Sequence, residues 1–97
     1  MNKLTAADRQ TKLKVFFENG WKLDERRDAI TKEFQFTNFI EAFSWMTKVA
    51  FWAEKINHHP EWFNVYRTVS VVLTTHDVKG LSNLDLELAE KMDSEAS

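Results

Sequence analysis

The chain has 97 residues and a mass of 11.4 kDa, which leaves room for a single domain, residues 1–97, with one core and a radius of gyration of about 13 Å. Hydrophobic residues at 43% and charged residues at 29% exclude a disordered chain, and the absence of cysteine excludes disulfide scaffolds and thiolate metal sites together. A net charge of −2 gives no basic face for a nucleic-acid backbone, no run reaches the roughly 18 apolar residues of a membrane span, and Lys3, Asp8 and Arg9 stand where a signal peptide needs an apolar core; the chain is expected to be cytoplasmic, without direct nucleic-acid or membrane partners.

In chain order, Thr5 with Asp8 three residues later resembles a capping box. Leu13, Phe16 and Phe17 follow at helical spacing before Asn19-Gly20, so a first helix is predicted over Ala6 to Glu18. Lys3, Arg9, Lys12 and Lys14 read as its solvated face. Trp21 to Leu23 and the alternating stretch Ile30 to Phe36 predict a strand pair joined through Asp24 to Asp28, with Ile30, Phe34 and Phe36 on one face.

From Asn38 to Ile56 no Gly or Pro interrupts a long helix capped by Thr37 or Asn38. Its apolar residues form two stripes, Phe39, Phe43, Met46, Ala50 and Ala53 in one and Trp45, Val49, Trp52 and Ile56 in the other, together covering roughly half the circumference. The first stripe is expected on a sheet. The second is then left over, which predicts a homodimer or homotetramer through Trp45, Val49, Trp52 and Ile56, unless the last helix folds back over it within one chain. Val65 to Thr74 is β-branched and too long for one strand, so a hairpin turning near Arg67-Thr68 is expected, with Val69, Val71 and Leu73 on one face. Ser82 with Asp85 caps a final amphipathic helix over Asn83 to Met92, and Asp93 to Ser97 is expected to fray. The order α-β-β-α-β-β-α predicts an α+β two-layer sandwich, a four-stranded antiparallel sheet with helices packed on one face.

All three histidines fall within 19 residues: His58 and His59 after the long helix, and His76 after the last strand. Imidazoles at element ends can converge on a cleft and act as acid and base near neutrality. Two competing readings are polar loop residues and a metal held by three imidazoles with help from Glu54 or Glu61, although the helical spacing of two histidines four residues apart is absent. Ser44, Ser70 and Ser82 lack a nucleophile elbow, and Gly20 and Gly80 make no phosphate loop. Trp62 and Phe63 fit core or edge packing better than stacking on a flat ligand.

The run Ala53-Glu54-Lys55-Ile56-Asn57-His58-His59-Pro60-Glu61-Trp62-Phe63-Asn64-Val65-Tyr66 resembles the signature of the pterin-4a-carbinolamine dehydratases, also known as dimerisation cofactors of a hepatocyte homeodomain transcription factor. The match continues through Val69, Val71, Leu73, Thr75-His76, Gly80-Leu81-Ser82 and Asp85. Upstream, Arg27-Asp28-Ala29-Ile30, Ala42-Phe43 and Met46-Thr47 also fit, so the resemblance runs from about Gly20 to Ala89. It implies the same α+β sandwich and dehydration of 4a-hydroxytetrahydropterin to the quinonoid dihydropterin in tetrahydrobiopterin recycling, a hydro-lyase reaction with no metal and no cofactor. On this resemblance His58 and His76 are the catalytic acid/base pair and His59 mainly holds the pterin. Asn57, His58, His59, Thr74, Thr75, His76 and Asp77 line the substrate pocket.

The resemblance also implies a dimer of dimers through the long helix. A second activity goes with it, a transcriptional coactivator that binds a homeodomain transcription factor on the same helix surface and brings a nuclear fraction. The sequence departs from the family pattern at Asn57, where an aspartate is common and whose neutrality is expected to lower the pKa of His58. It departs also at Leu84 for an arginine, at Trp52 for a glutamine and at Arg67-Thr68. Trp52 and Leu84 are expected to affect the partner surface more than the active site.

Overall fold

A computed structural model describes all 97 residues, Met1–Ser97. Thr5 caps the first helix by accepting from the Asp8 N–H at 3.1 Å. That helix is not continuous: it breaks at Lys12 into α1 (Ala6–Thr11) and α2 (Leu13–Glu18), and only Leu13 of the two pieces is fully buried. The solvated-face reading fails for Arg9, whose guanidinium forks onto Asp28 at 2.6 and 2.8 Å while its Nε donates to the Leu4 carbonyl.

Strands β1 (Lys22–Asp24), β2 (Ala29–Gln35), β3 (Glu61–Val65) and β4 (Thr68–Leu73) form one antiparallel sheet in the order β1-β2-β4-β3. Pairing Ile30 with Leu73 and Phe34 with Val69 puts the buried residues of the two central strands on one face, and Val71 lies between them on that side. The β3–β4 hairpin turns at Tyr66-Arg67, one residue earlier than expected, and β3 starts four residues before the β-branched run, at Glu61. Tyr66 takes a φ of 53°, and the Asn64 amide holds the turn by donating to the carbonyls of Tyr66 and Thr68. A side-chain bracket thus replaces Asn-Gly turn chemistry. Trp62 packs against Trp45 at 6.2 Å, whereas Phe63 points out from the open face of the sheet.

Helix α3 (Phe39–Ile56) starts at Asn38, whose side chain accepts from the Glu41 N–H, and α4 (Asn83–Ala96) starts at Ser82 with the capping box intact. The last helix runs to Ala96, so the segment expected to fray is its final turn. Asp93 is held there by the Trp21 indole N–H at 2.9 Å and the Lys32 ammonium at 2.7 Å.

The roles expected for the two stripes of α3 are largely exchanged, with Met46 and Ala53 of the first stripe staying inside. Ala42, Trp45, Val49 and Ala53 are buried, with Met46, Trp52 and Ile56 packed against the same core, while Phe39, Ile40, Phe43, Ala50 and Phe51 are exposed. The reason is α4: it lies beside α3 and covers the tryptophan stripe within the same chain. Each indole has a polar edge that a second helix can satisfy, Trp45 donating to the Met92 carbonyl at 3.0 Å and Trp52 to the Glu95 carboxylate at 3.0 Å. Trp45 and Val49 are therefore core, not an assembly surface.

Candidate active site

The C-terminus of α3 builds the first wall. Asn57 takes the left-handed conformation (φ 54°, ψ 47°), and the chain closes behind it with Asn57 N–H on the Glu54 carbonyl and His58 N–H on the Ala53 carbonyl at 3.0 Å. This is the Schellman arrangement, which favours glycine first and asparagine next at that position. Asn57 thus has a backbone reason to be asparagine, and it sets the direction in which His58 leaves the helix.

His58 is 9% exposed. Its Nε2 lies 2.6 Å from Oδ1 of Asp85, in the first turn of α4, and Asp85 is fully buried. The other carboxylate oxygen accepts from the Thr75 hydroxyl at 2.7 Å and from the Ser82 N–H at 2.9 Å. Since Thr75 spends its proton on Asp85, the 2.7 Å contact between the Thr75 and Ser82 hydroxyls runs with Ser82 donating. A directed chain results, from Ser82 through Thr75 to Asp85, with His58 completing the carboxylate's partners. The carboxylate also sits at the positive end of a 14-residue helix. With Nε2–H given to Asp85, neutral His58 carries its lone pair on Nδ1. Nδ1 has no partner within the chain and is not among the fully buried atoms, and His58 lines the open cleft, so Nδ1 is the ring nitrogen left to serve it. The carboxylate beside His58 is therefore Asp85, whichever residue precedes the histidine pair.

The opposite wall is the loop after β4. Thr75 and Gly80 bridge through their backbones and pinch off a short 3-10 turn, His76–Val78. Gly80 is required by space: a Cβ there would collide with the Asp28 carboxylate, which Arg9 holds in place. The same Asp28 accepts from the Leu81 N–H, and its backbone carbonyl accepts from the Thr74 hydroxyl, so the Arg9–Asp28 pair anchors both ends of the loop. His76 projects from this turn with its side chain 77% exposed, its Nε2 3.3 Å from Oε2 of Glu61. Arg27 forks onto Glu61 at 2.9 and 2.7 Å, and these bonds push the Glu61 carboxyl down to about 2. His59 is exposed and pairs with Glu54 at 2.6 Å.

Between the walls lies a cleft of about 430 Å³, within the size range that takes a small heterocycle. All seven residues expected in a substrate pocket line it: Asn57, His58 and His59 on one side, Thr74, Thr75, His76 and Asp77 on the other. Glu61 and Leu84 line it too, so the departure at Leu84 falls in the cleft. Trp52 packs against α4, with the Lys91 ammonium 4.3 Å from its ring. Trp62 and Phe63 do not line the cleft. Sequence reasoning placed Asp85 in the helix cap and in the family match but missed its contact with His58; it also missed the Arg27–Glu61 fork. No three His, Asp or Glu side chains cluster as a metal ion would need. The three imidazoles instead meet three different carboxylates.

Fold and cleft together define an α+β sandwich with three imidazoles gathered at one cleft. The family model for pterin 4 alpha carbinolamine dehydratase matches residues 2–95. A protein of Roseobacter denitrificans, provisionally named a pterin-4-alpha-carbinolamine dehydratase, is 63% identical over 92 residues, spanning 95% of this chain and 94% of that one. The pterin-4-alpha-carbinolamine dehydratase of Drosophila melanogaster is 50% identical over 95 residues, which are 98% of this chain and 50% of the longer fly protein. The crystal structure of a transcriptional coactivator/pterin dehydratase from Brucella melitensis matches with a TM-score of 0.92 at 42% identity, covering 99% of this chain and 100% of that one. The chain belongs to the pterin-4a-carbinolamine dehydratase family of hydro-lyases.

Proposed function

We propose that this chain dehydrates a 4a-hydroxytetrahydropterin to the quinonoid dihydropterin, the step that returns tetrahydrobiopterin to use after aromatic hydroxylation. The observation that carries the reading is the buried His58–Asp85 pair opening onto the same cleft as His76 and His59. In the reaction a ring nitrogen lone pair expels the 4a-hydroxyl. That group leaves as water after taking a proton, and a ring N–H yields one in turn. His58 and His76 form the acid/base pair, worth about 10²–10⁴-fold for each positioned group. His58 works through Nδ1, because Asp85 holds Nε2–H. His59, outside the buried network, contributes binding.

The test is turnover of 4a-hydroxytetrahydropterin by the purified chain. His58→Ala and His76→Ala each lower kcat, about 10²-fold or more, while His59→Ala raises KM with kcat little changed. Wild-type rates in both of the first two variants would sink the reading.

Assembly belongs to the face that α4 leaves open. Phe39 and Phe43 stand 5.6 Å apart there, and Ile40 and Phe51 on the same helix are exposed, a concentration of large apolar side chains of the kind that soluble monomers seldom display. A second copy of this chain is the occupant proposed, giving a homodimer or homotetramer through α3. The Brucella relative is described as a coactivator as well as a dehydratase, and a homeodomain transcription factor would compete for this same surface.

A further inference from the structure

We infer that Glu61, clamped by Arg27, is the positioning residue of His76; the role rests on the dehydratase reading above. His58 is fixed by burial and by the bonds around Asp85, but His76 has no such support. It sits on a three-residue 3-10 turn, its side chain is 77% exposed, and the ring makes one hydrogen bond, to Oε2 of Glu61 at 3.3 Å. An imidazole held by so little can occupy several rotamers, and in each wrong one the acid or base is absent from the reacting atoms.

Glu61 is itself held in a way that the two other carboxylates paired with histidines are not. Arg27 reaches it from the β1–β2 turn with both terminal nitrogens, at 2.9 and 2.7 Å, and Oε2 is shared between Arg27 and His76. The turn is fixed in its own right, because the Asp24 carboxylate accepts from the backbone N–H of Arg26 and Arg27. The fork matches a planar guanidinium to a planar carboxylate, so it sets the orientation of Glu61 as well as its place. It also keeps the carboxyl ionised through the whole range in which imidazole titrates. Three separate segments, the β1–β2 turn, the start of β3 and the loop after β4, thus meet at one exposed carboxylate on the rim of the cleft. Exposed ion pairs add little to folding stability. The arrangement therefore matters chiefly for where the His76 ring points.

The test is a double-mutant cycle on purified full-length chains, reading kcat and KM for 4a-hydroxytetrahydropterin in wild type, Glu61→Ala, His76→Ala and the double variant, with Arg27→Ala alone and on the His76→Ala background. Glu61→Ala is expected to lower kcat about 3- to 6-fold, the scale of one exposed charge-assisted bond, with KM and melting temperature nearly unchanged. Arg27→Ala falls in the same direction by less. Neither slows the His76→Ala enzyme further, because a residue acting through His76 has nothing left to position. The inference is overturned by wild-type kcat in Glu61→Ala, by a loss that persists in full without His76, or by a loss confined to KM, which would make Glu61 a direct pterin contact. A wild-type chain with no turnover at all would remove the dehydratase reading and this role together; the other results strike the role alone.

Discussion

Asp85→Asn is the substitution that most directly probes how His58 is set up. The new side chain has the same shape and can keep an oxygen toward the Thr75 hydroxyl and the Ser82 N–H, which preserves the cap of α4. Its amide NH2 then faces Nε2 of His58, where the carboxylate oxygen stood at 2.6 Å. Two donors cannot share that contact, so the imidazole moves its proton to Nδ1 and loses the lone pair that faces the cleft. Exchanging one charge-assisted bond for a neutral one costs about 1–2 kcal/mol. At roughly 4–8 °C per kcal/mol for a domain of this size, the melting temperature falls by roughly 5–15 °C. The catalytic effect is larger, about 10²–10⁴-fold in kcat with little change in KM, since the fold survives and the tautomer does not. Thermal melts followed by circular dichroism and steady-state turnover measure the two effects separately. A kcat within about threefold of wild type, alongside the expected drop in melting temperature, would refute a catalytic role for the Asp85-set tautomer.

Acid/base dehydration by imidazoles needs no Lewis acid, so dialysis against a strong chelator should leave turnover unaltered; loss of activity restored by zinc would reverse that conclusion. The hydrogen bonds from Arg9 hold the Asp28 carboxyl below its usual 3.8, so the stability it supplies is complete above that value and is lost as pH falls through the lower folded pKa. Asp28→Asn should be less stable than wild type at neutral pH, and the two stability curves should converge on acidification; parallel curves from melts across the acid range would count against the assignment. Phe43→Glu combined with Phe51→Glu should dissociate the proposed assembly while leaving a folded chain, because both side chains are exposed. Trp45→Glu should instead unfold it, since that indole lies in the core with its N–H on the Met92 carbonyl; sedimentation and circular dichroism separate the two outcomes.

Local chemistry was legible in the residues alone. The caps at Thr5, Asn38 and Ser82, the alternation in β2 and β4 and the uninterrupted α3 follow from short-range rules, and these elements in this order leave few folds to choose from. The three histidines stood out because they lie at element ends. Which stripe of α3 faces inward was not legible, because both stripes are apolar; the choice depends on where α4 docks, 27 or more residues further along the chain. The ordered last turn of α4 also depends on distant partners, Trp21 and Lys32, which grip Asp93. The same limit holds in the cleft. Asp85 satisfies the local rule for a capping box completely, so nothing nearby in sequence signals that its free oxygen meets a histidine 27 residues away. Arg27 and Glu61 are separated by 34 residues and look like ordinary surface charges until the sheet brings them to one rim. Backbone hydrogen bonds and side-chain periodicity are set by neighbours in the chain, and the sequence determines them. The partner of a buried carboxylate, and the face of a doubly apolar helix, are settled only when non-local elements compete for the same space, and that the tertiary structure decided.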